Sequence, residues 1–103
     1  MSFQTRRELN RPFDAVVAQL PQALKSEGFG VLTEIDIQDT LKQKLGVSFR
    51  RYKIFGACNP PLAHQALQAE LEVGLMLPCN VIAYESDQDT TVVSAIDPTQ
   101  TMA

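Results

Sequence analysis

The sequence has no long hydrophobic run, which excludes a protein that crosses the membrane by helices. Its apolar stretches fall far short of the ~20 residues that a membrane-spanning helix needs. Residues 1–7 include two arginines, with no hydrophobic stretch after them, which argues against a secretory signal. We therefore expect a small soluble cytoplasmic domain that binds no membrane. Positive charge is also scarce, since nine Lys and Arg face twelve Asp and Glu, so broad nucleic-acid binding is not expected.

Residues that carry common chemistry are few. The chain has two cysteines, Cys58 and Cys79, and one histidine, His64. The cysteine spacing matches neither a redox Cys-x-x-Cys pair nor a zinc ribbon, and without a secretory signal both thiols are expected to be reduced. The sequence contains no dinucleotide-binding glycine motif, P-loop, nucleophile elbow or zinc-protease motif. It therefore leaves open whether the protein is an enzyme and which cofactor, if any, it uses.

The length and pattern predict one domain over residues 1–103, because 103 residues with 45% hydrophobic content suit a single core. Alternating segments predict strands, and apolar positions at helical spacing predict helices, in the order β-α-β-α-β-α-β-β. The prediction is a two-layer α+β fold with a mixed five-stranded sheet and helices mainly on one face.

Capping residues predict where two of the helices begin. Asp36 is a good N-cap for a short helix over 37–45, which Gly46 would end. Asn59 is a good N-cap for a later helix, with Pro60 at its first position. In the first helix Pro21 interrupts the apolar stripe, and we expect a kink or a break there.

The segment Val81-Ile82-Ala83-Tyr84 is apolar on both faces, which is typical of a central strand. Either both faces of that strand are buried within the chain, or one is covered by another chain. Helices on one face only would leave the second face open. The sequence therefore predicts a homodimer that buries part of this sheet face.

The most informative segments are Gly56-Ala57-Cys58-Asn59-Pro60 and Leu77-Pro78-Cys79-Asn80-Val81. If their strands are antiparallel neighbours, Cys58 and Cys79 lie at the same end of the sheet. A helix that starts after Asn59 would place free N–H groups and a positive dipole end beside them, which favours a thiolate or a bound anion. The alternative is structural: the cysteines are packing residues and Asn59 is only a cap.

Three further residues could complete this site. Cys58, Cys79 and His64 are a possible ligand set for a soft metal ion, and a Cys–His pair is also a nucleophile arrangement. Glu34 and Asp36 could add carboxylates if their strand end faces the same way. The simpler interpretation makes His64 a solvated surface residue and Asp36 a helix cap. For the basic residues Arg50, Arg51 and Lys53 we favour a solvated strand face over an anion site.

Several segments together resemble the domain-of-unknown-function 302 family. They are Gly28-Phe29-Gly30-Val31-Leu32-Thr33-Glu34-Ile35-Asp36, Thr40-Leu41-Lys42, the two cysteine segments, Gly74 to Val81, and Ser94-Ala95-Ile96-Asp97-Pro98. The family's motif positions fall here on Glu34, Asp36, Cys58, Asn59, Pro60, Pro78, Cys79, Asn80, Asp97 and Pro98. The resemblance implies a small α+β fold that is commonly dimeric, with no assigned activity. Members usually continue after the Asp-Pro pair with an amphipathic helix, whereas this chain stops at Ala103.

Three functional hypotheses follow from the residues. The first is a homodimer that binds a small molecule or a soft metal ion at Cys58, Asn59, Cys79 and Asn80, with Glu34 and Asp36 as further ligand-binding candidates. The second is a structural or interaction module without catalysis. The third, which we favour least, is a thiol enzyme with one cysteine as nucleophile and His64 as base.

Overall fold

The computed structural model describes residues 4–96 and contains five strands, three α-helices and one short 3-10 helix in that range. In chain order they are β1 (Gln4–Leu9), α1 (Phe13–Ser26), β2 (Gly30–Asp36), α2 (Ile37–Leu45), β3 (Tyr52–Cys58), α3 (Pro60–Ala69), the 3-10 helix (Leu71–Met76), β4 (Cys79–Glu85) and β5 (Thr91–Ile96). The α+β class and the element order predicted from the sequence are confirmed. Asp97 and Pro98 lie outside the described residues.

The five strands form one sheet in the order β1-β5-β4-β3-β2, and every neighbouring pair is antiparallel. The prediction of a mixed sheet was wrong, because no neighbouring pair among the described strands is parallel. A parallel pair needs a helical crossover between neighbours, but α1 joins β1 and β2, which run in the same direction at opposite edges. The other two helical connections join antiparallel neighbours, β2 to β3 and β3 to β4.

One face of the sheet, here called the inner face, packs against α1. Phe13 and Leu20 of α1 are buried against Phe55, Ala57, Val81 and Ala83 of the two central strands. β4 is the middle strand, as the apolar segment predicted. Its inner residues Val81 and Ala83 are buried, whereas Ile82 and Tyr84 on the opposite, outer face are half-buried.

Capping chemistry sets the helix starts as expected. The Asp36 carboxylate accepts a hydrogen bond from the Asp39 N–H, and Gly46 ends α2 in the left-handed conformation at φ 68°. The Asn59 side chain accepts from the Leu62 N–H, and Pro60 occupies the first helical position of α3.

Pro21 does not break the first helix, because α1 is continuous from Phe13 to Ser26. Of the kink or break expected at Pro21, the break does not occur. Pro21 is exposed, so water can reach the side of the helix where its ring removes a backbone donor. No helix within residues 4–96 combines the length and apolarity needed to cross a membrane.

Candidate functional site

Cys58 and Cys79 come to the same end of the sheet because β3 and β4 are antiparallel neighbours. Cys79 begins β4 directly opposite Ala57, and Cys58 is the next residue of β3. Both thiols are free and half-buried. The site predicted from the sequence required the two cysteine strands to be antiparallel neighbours, and the structure meets this condition.

A small cavity lies between the thiols and the start of α3. It measures about 10 Å³ and is lined by Phe29, Ala57, Cys58, Asn59, Leu62, Ala63, Leu77 and Cys79. This is close to the space that a single water molecule needs. The Asn59 side chain is held here, since it caps α3 and its Nδ2 would lie 3.2 Å from a Cβ added at Gly28. Asn59 thus has a structural role that needs no ligand.

A larger cleft opens on the other side of Cys79. It has a volume of about 330 Å³ and is lined by Leu75, Met76, Leu77, Pro78, Cys79, Asn80 and Ile96. Leu75 is 89% exposed and Met76 47% exposed, so two apolar side chains at the end of the 3-10 helix face solvent beside the cleft. Among the described residues of this lining, Cys79 and Asn80 are the polar ones. Cys79 also lines the small cavity, so it lies between the two spaces.

The surroundings of Cys79 disfavour its thiolate form. Burial raises the pKa of Cys79 above its ordinary value, and the neighbouring Cys58 raises it further. A thiol in this state is a weak hydrogen-bond donor and a poor nucleophile, since the thiolate is the reactive form. Cys79 is therefore better suited to contacting a ligand than to attacking one.

Glu34 and Asp36 do not join the cysteines. Asp36 pairs with Lys53 at the far end of β3 from Cys58, and its carboxylate caps α2. Glu34 accepts a hydrogen bond from the Lys53 Nζ at 3.1 Å. The antiparallel pairing of β2 and β3 places the end of β2 beside the start of β3, so the expectation that these carboxylates could complete the site was wrong.

The predicted metal-binding set of Cys58, Cys79 and His64 is not assembled. His64 is exposed on α3 and lines neither the small cavity nor the cleft. Within residues 4–96 no group of three or more His, Cys, Asp or Glu side chains could hold a metal ion. The reason is that the first turn of α3 brings Leu62 and Ala63, rather than His64, against the thiols.

The basic residues around the start of β3 are paired with carboxylates. Arg50 contacts Asp87 at 2.9 Å, Arg51 contacts Asp14, and Lys53 contacts Glu34. The Arg51 guanidinium also lies 4.6 Å from the centre of the Phe13 ring. These pairings support the structural interpretation of the basic run over an anion site.

Sequence reasoning missed the apolar walls of the cleft. Leu75, Met76 and Leu77 precede Pro78 without a strand or helix period, so periodicity gave no reason to place them at a site. A run of large apolar residues in an irregular segment was the available signal, because connections on a protein surface are usually polar. Nothing in the local sequence of Ile96 relates it to residues 75–80.

The comparisons with known proteins agree on one family. The model for the domain of unknown function DUF302 matches residues 5–103. The chain is also similar to a crystal structure of an uncharacterized conserved DUF302 protein from Bacillus stearothermophilus, with 30% sequence identity and a TM-score of 0.86. That match covers 98% of this chain and 78% of the other. No curated protein matches the sequence.

Proposed function

We propose that this chain, which belongs to the DUF302 family of domains of unknown function, is a small-molecule-binding module whose site is the cleft beside Cys79. The observation that carries the proposal is the cleft itself. A space of about 330 Å³ with apolar walls and two polar residues in its described lining has the size and composition of ligand sites in proteins. The occupant is a small, mainly apolar molecule with one hydrogen-bonding group.

Binding is favoured over catalysis by the state of the groups at this end of the sheet. Burial and the neighbouring Cys58 raise the pKa of Cys79, which is the opposite of the lowered pKa that activates a nucleophilic cysteine. A general base must lie within hydrogen-bond reach of the proton it removes, but His64 lines neither space. Asn80, which is exposed at the cleft, offers both an amide donor and an acceptor.

The test is a fluorine NMR screen with fluorinated aromatic fragments of roughly ten to fifteen non-hydrogen atoms. Hits should shift the backbone amide signals of Cys79, Asn80 and Ile96 in the labelled protein. Leu75→Ala removes one wall of the cleft, and we expect it to weaken binding about fivefold or more, in line with the apolar area lost.

Leu71→Ala is the matched control. Leu71 lies on the same 3-10 helix and is 81% exposed, compared with 89% for Leu75, but it does not line the cleft. The Leu71→Ala variant should bind the fragments with the same affinity as the unchanged protein. Equal losses in the two variants, or amide shifts located away from residues 75–80 and Ile96, would contradict the proposal.

The homodimer predicted from the sequence remains a proposal, and the outer face of the sheet supports it. Ile54 pairs directly with both Ile35 and Ile82, so the three side chains share that face. Ile35 is 46% exposed. Beside them Tyr52 and Tyr84 stack with ring centres 5.3 Å apart. A continuous, partly exposed apolar surface of this kind is typical of an interaction face.

Sedimentation equilibrium at micromolar concentration should give twice the chain mass of 11.4 kDa. Ile35→Glu places a charge on the outer face and should shift the protein to the monomer, because an unpaired charge in an apolar interface is costly. Ala18→Glu adds the same charge on an exposed position of α1, the helix on the inner face, and should leave the mass unchanged. A monomer without substitution would refute the dimer.

A further inference from the structure

A second groove lies on the inner face, between α1 and the edge strand β1, away from the cysteines. α1 packs most closely against β2 and β4, so its residues Val16, Leu20 and Ala23 form one wall of a groove whose other wall is β1 and β5. The groove has a volume of about 280 Å³. Its apolar lining comprises Leu9, Val16, Leu20, Ala23, Val93 and Ala95.

The charged groups in the described lining of this groove, Arg7 and Arg11, are both positive, and its other polar residues, Thr5 and Gln19, are uncharged. Arg7 lies directly opposite Val93 in the β1–β5 pairing, so both side chains are on the inner face. Arg11 follows β1 and its Nη1 donates a hydrogen bond to Gln19 Oε1 on α1 at 2.8 Å. Within residues 4–96, no Asp or Glu lines the groove.

The concentration of positive charge here contrasts with the rest of the chain. The protein has a net charge of −3, and Arg50, Arg51 and Lys53 around the start of β3 each contact a carboxylate. Arginine stems often cover apolar surface while their charged ends remain in water. That packing role alone would explain a single arginine beside the groove. Two arginines beside an apolar groove that contains no carboxylate also match the charge of an anion, and guanidinium groups bind carboxylates with two parallel hydrogen bonds.

The size of the groove limits the length of the apolar part of a ligand that could bind there. A cavity of about 150 Å³ accommodates benzene, so a space of about 280 Å³ suits a ligand of roughly ten to twelve non-hydrogen atoms. From Thr5 to Leu9 the groove follows β1 for about 13 Å at the usual rise of a strand. A single extended chain fits this shape better than a fused ring system does.

We propose that this groove binds a free medium-chain carboxylic acid, with the chain along Val93 and Ala95 and the carboxylate at Arg7 and Arg11. The site is separate from the cleft at Cys79, and its existence does not depend on the function proposed for that cleft. The chemistry that identifies the ligand is one negative head group on one short alkyl chain.

Octanoate is the probe, added below its aggregation concentration to the full chain, with amide shifts recorded by NMR. Binding should saturate and shift the amides of Arg7, Val93, Ala95 and Ala23. Octan-1-ol has the same chain without the charge and should bind about tenfold more weakly, the loss expected for a charge-assisted hydrogen bond at a partly exposed site. Octylamine should not bind at the groove, because its charge is repelled.

Two pairs of variants separate the groove from the general surface. Arg7→Gln should lower octanoate affinity about tenfold, whereas Arg6→Gln, on the opposite side of the same strand, should not change it. Ala23→Leu fills the groove from an exposed position of α1 and should abolish binding. Ala18→Leu is an equally exposed substitution on α1 outside the groove and should have no effect.

The comparison of octanoate with octan-1-ol uses the unchanged protein, so it holds even if a variant folds poorly. Equal affinity for the two probes, or no saturable shift at the groove, overturns the proposal. The absence of a saturable shift is also the result expected if another copy of the chain occupies the groove, and it overturns the proposal in that case too. Vesicles of phosphatidylglycerol should not shift these amides. If vesicles shift them and octanoate does not, the groove contacts a lipid surface and the proposal is wrong.

Discussion

Gly56→Ala should destabilise the protein by about 1–3 kcal/mol and lower its melting temperature by roughly 10 °C. Gly56 is a buried residue of β3, and its backbone lies opposite Asn80 of β4 and Thr33 of β2. A Cβ added here would lie 2.7 Å from Pro78 Cγ and would overlap Thr33 Oγ1. The hydroxyl of Thr33 can rotate away, but the ring of Pro78 is rigid and sits at the start of β4.

Gly30→Ala is the matched control for this steric effect. Gly30 begins the neighbouring strand β2, and a Cβ added there meets no atom within 4 Å. Its stability should stay within about 0.5 kcal/mol of the unchanged protein, as for most surface substitutions. Thermal and guanidinium unfolding measure both variants. If both substitutions cost the same, the loss reflects a general property of glycine, and the close packing of Pro78 on Gly56 is not its cause.

Cys79 should react with iodoacetamide at pH 7.5 about tenfold or more slowly than the same residue in the unfolded chain. Burial and the neighbouring Cys58 raise the pKa of this thiol, so less thiolate is present in the folded protein. The Cys58→Ser variant leaves Cys79 as the single cysteine, and its alkylation rate is measured from pH 7 to pH 10. The midpoint of this profile should lie above the ordinary value of about 8.5.

The same shift predicts how stability depends on pH. A thiol with a higher pKa in the folded chain keeps its proton there while the unfolded chain loses it, so stability falls as pH rises from the unfolded pKa through the folded one. Below the unfolded value this contribution is constant. Cys79→Ser removes the effect, and the stability difference between the two proteins should therefore change between pH 7 and pH 10.

Two observations would contradict this account of Cys79. One is alkylation of the folded Cys58→Ser variant at the rate of the unfolded chain, and the other is a profile midpoint at or below the ordinary value. Either result would indicate an accessible or activated thiol and would favour the thiol-enzyme hypothesis. The Cys79→Ser variant, compared with its own unfolded state, shows how Cys58 reacts alone.

The helix boundaries were accessible to sequence reasoning because their causes are local. The cap at Asp36 and the left-handed Gly46 define α2 at both ends, and Asn59 with Pro60 defines the start of α3. Each depends on residues within one turn of the chain. The apolar Val81 to Tyr84 segment likewise predicted the central strand, since only a strand covered on both sides needs such a pattern.

The candidate site was predictable only in part. The strand ends at Cys58 and Cys79 were identifiable, and antiparallel pairing brings them together. The same pairing rule, applied to β2 and β3, places Glu34 and Asp36 beside Lys53 and away from the thiols. Strand order and direction depend on long-range contacts, so no local pattern could decide between these outcomes.

Local composition and period therefore determined the elements, their order and the α+β class. Tertiary packing decided the rest: that all neighbouring strands are antiparallel, that His64 is exposed, and that Leu75, Cys79 and Ile96 line one cleft. Caps and periodic burial act over a few residues, and their energies are set by neighbours in the chain. A cleft is lined by segments that are distant in the chain, and only the register and order of the strands bring them together.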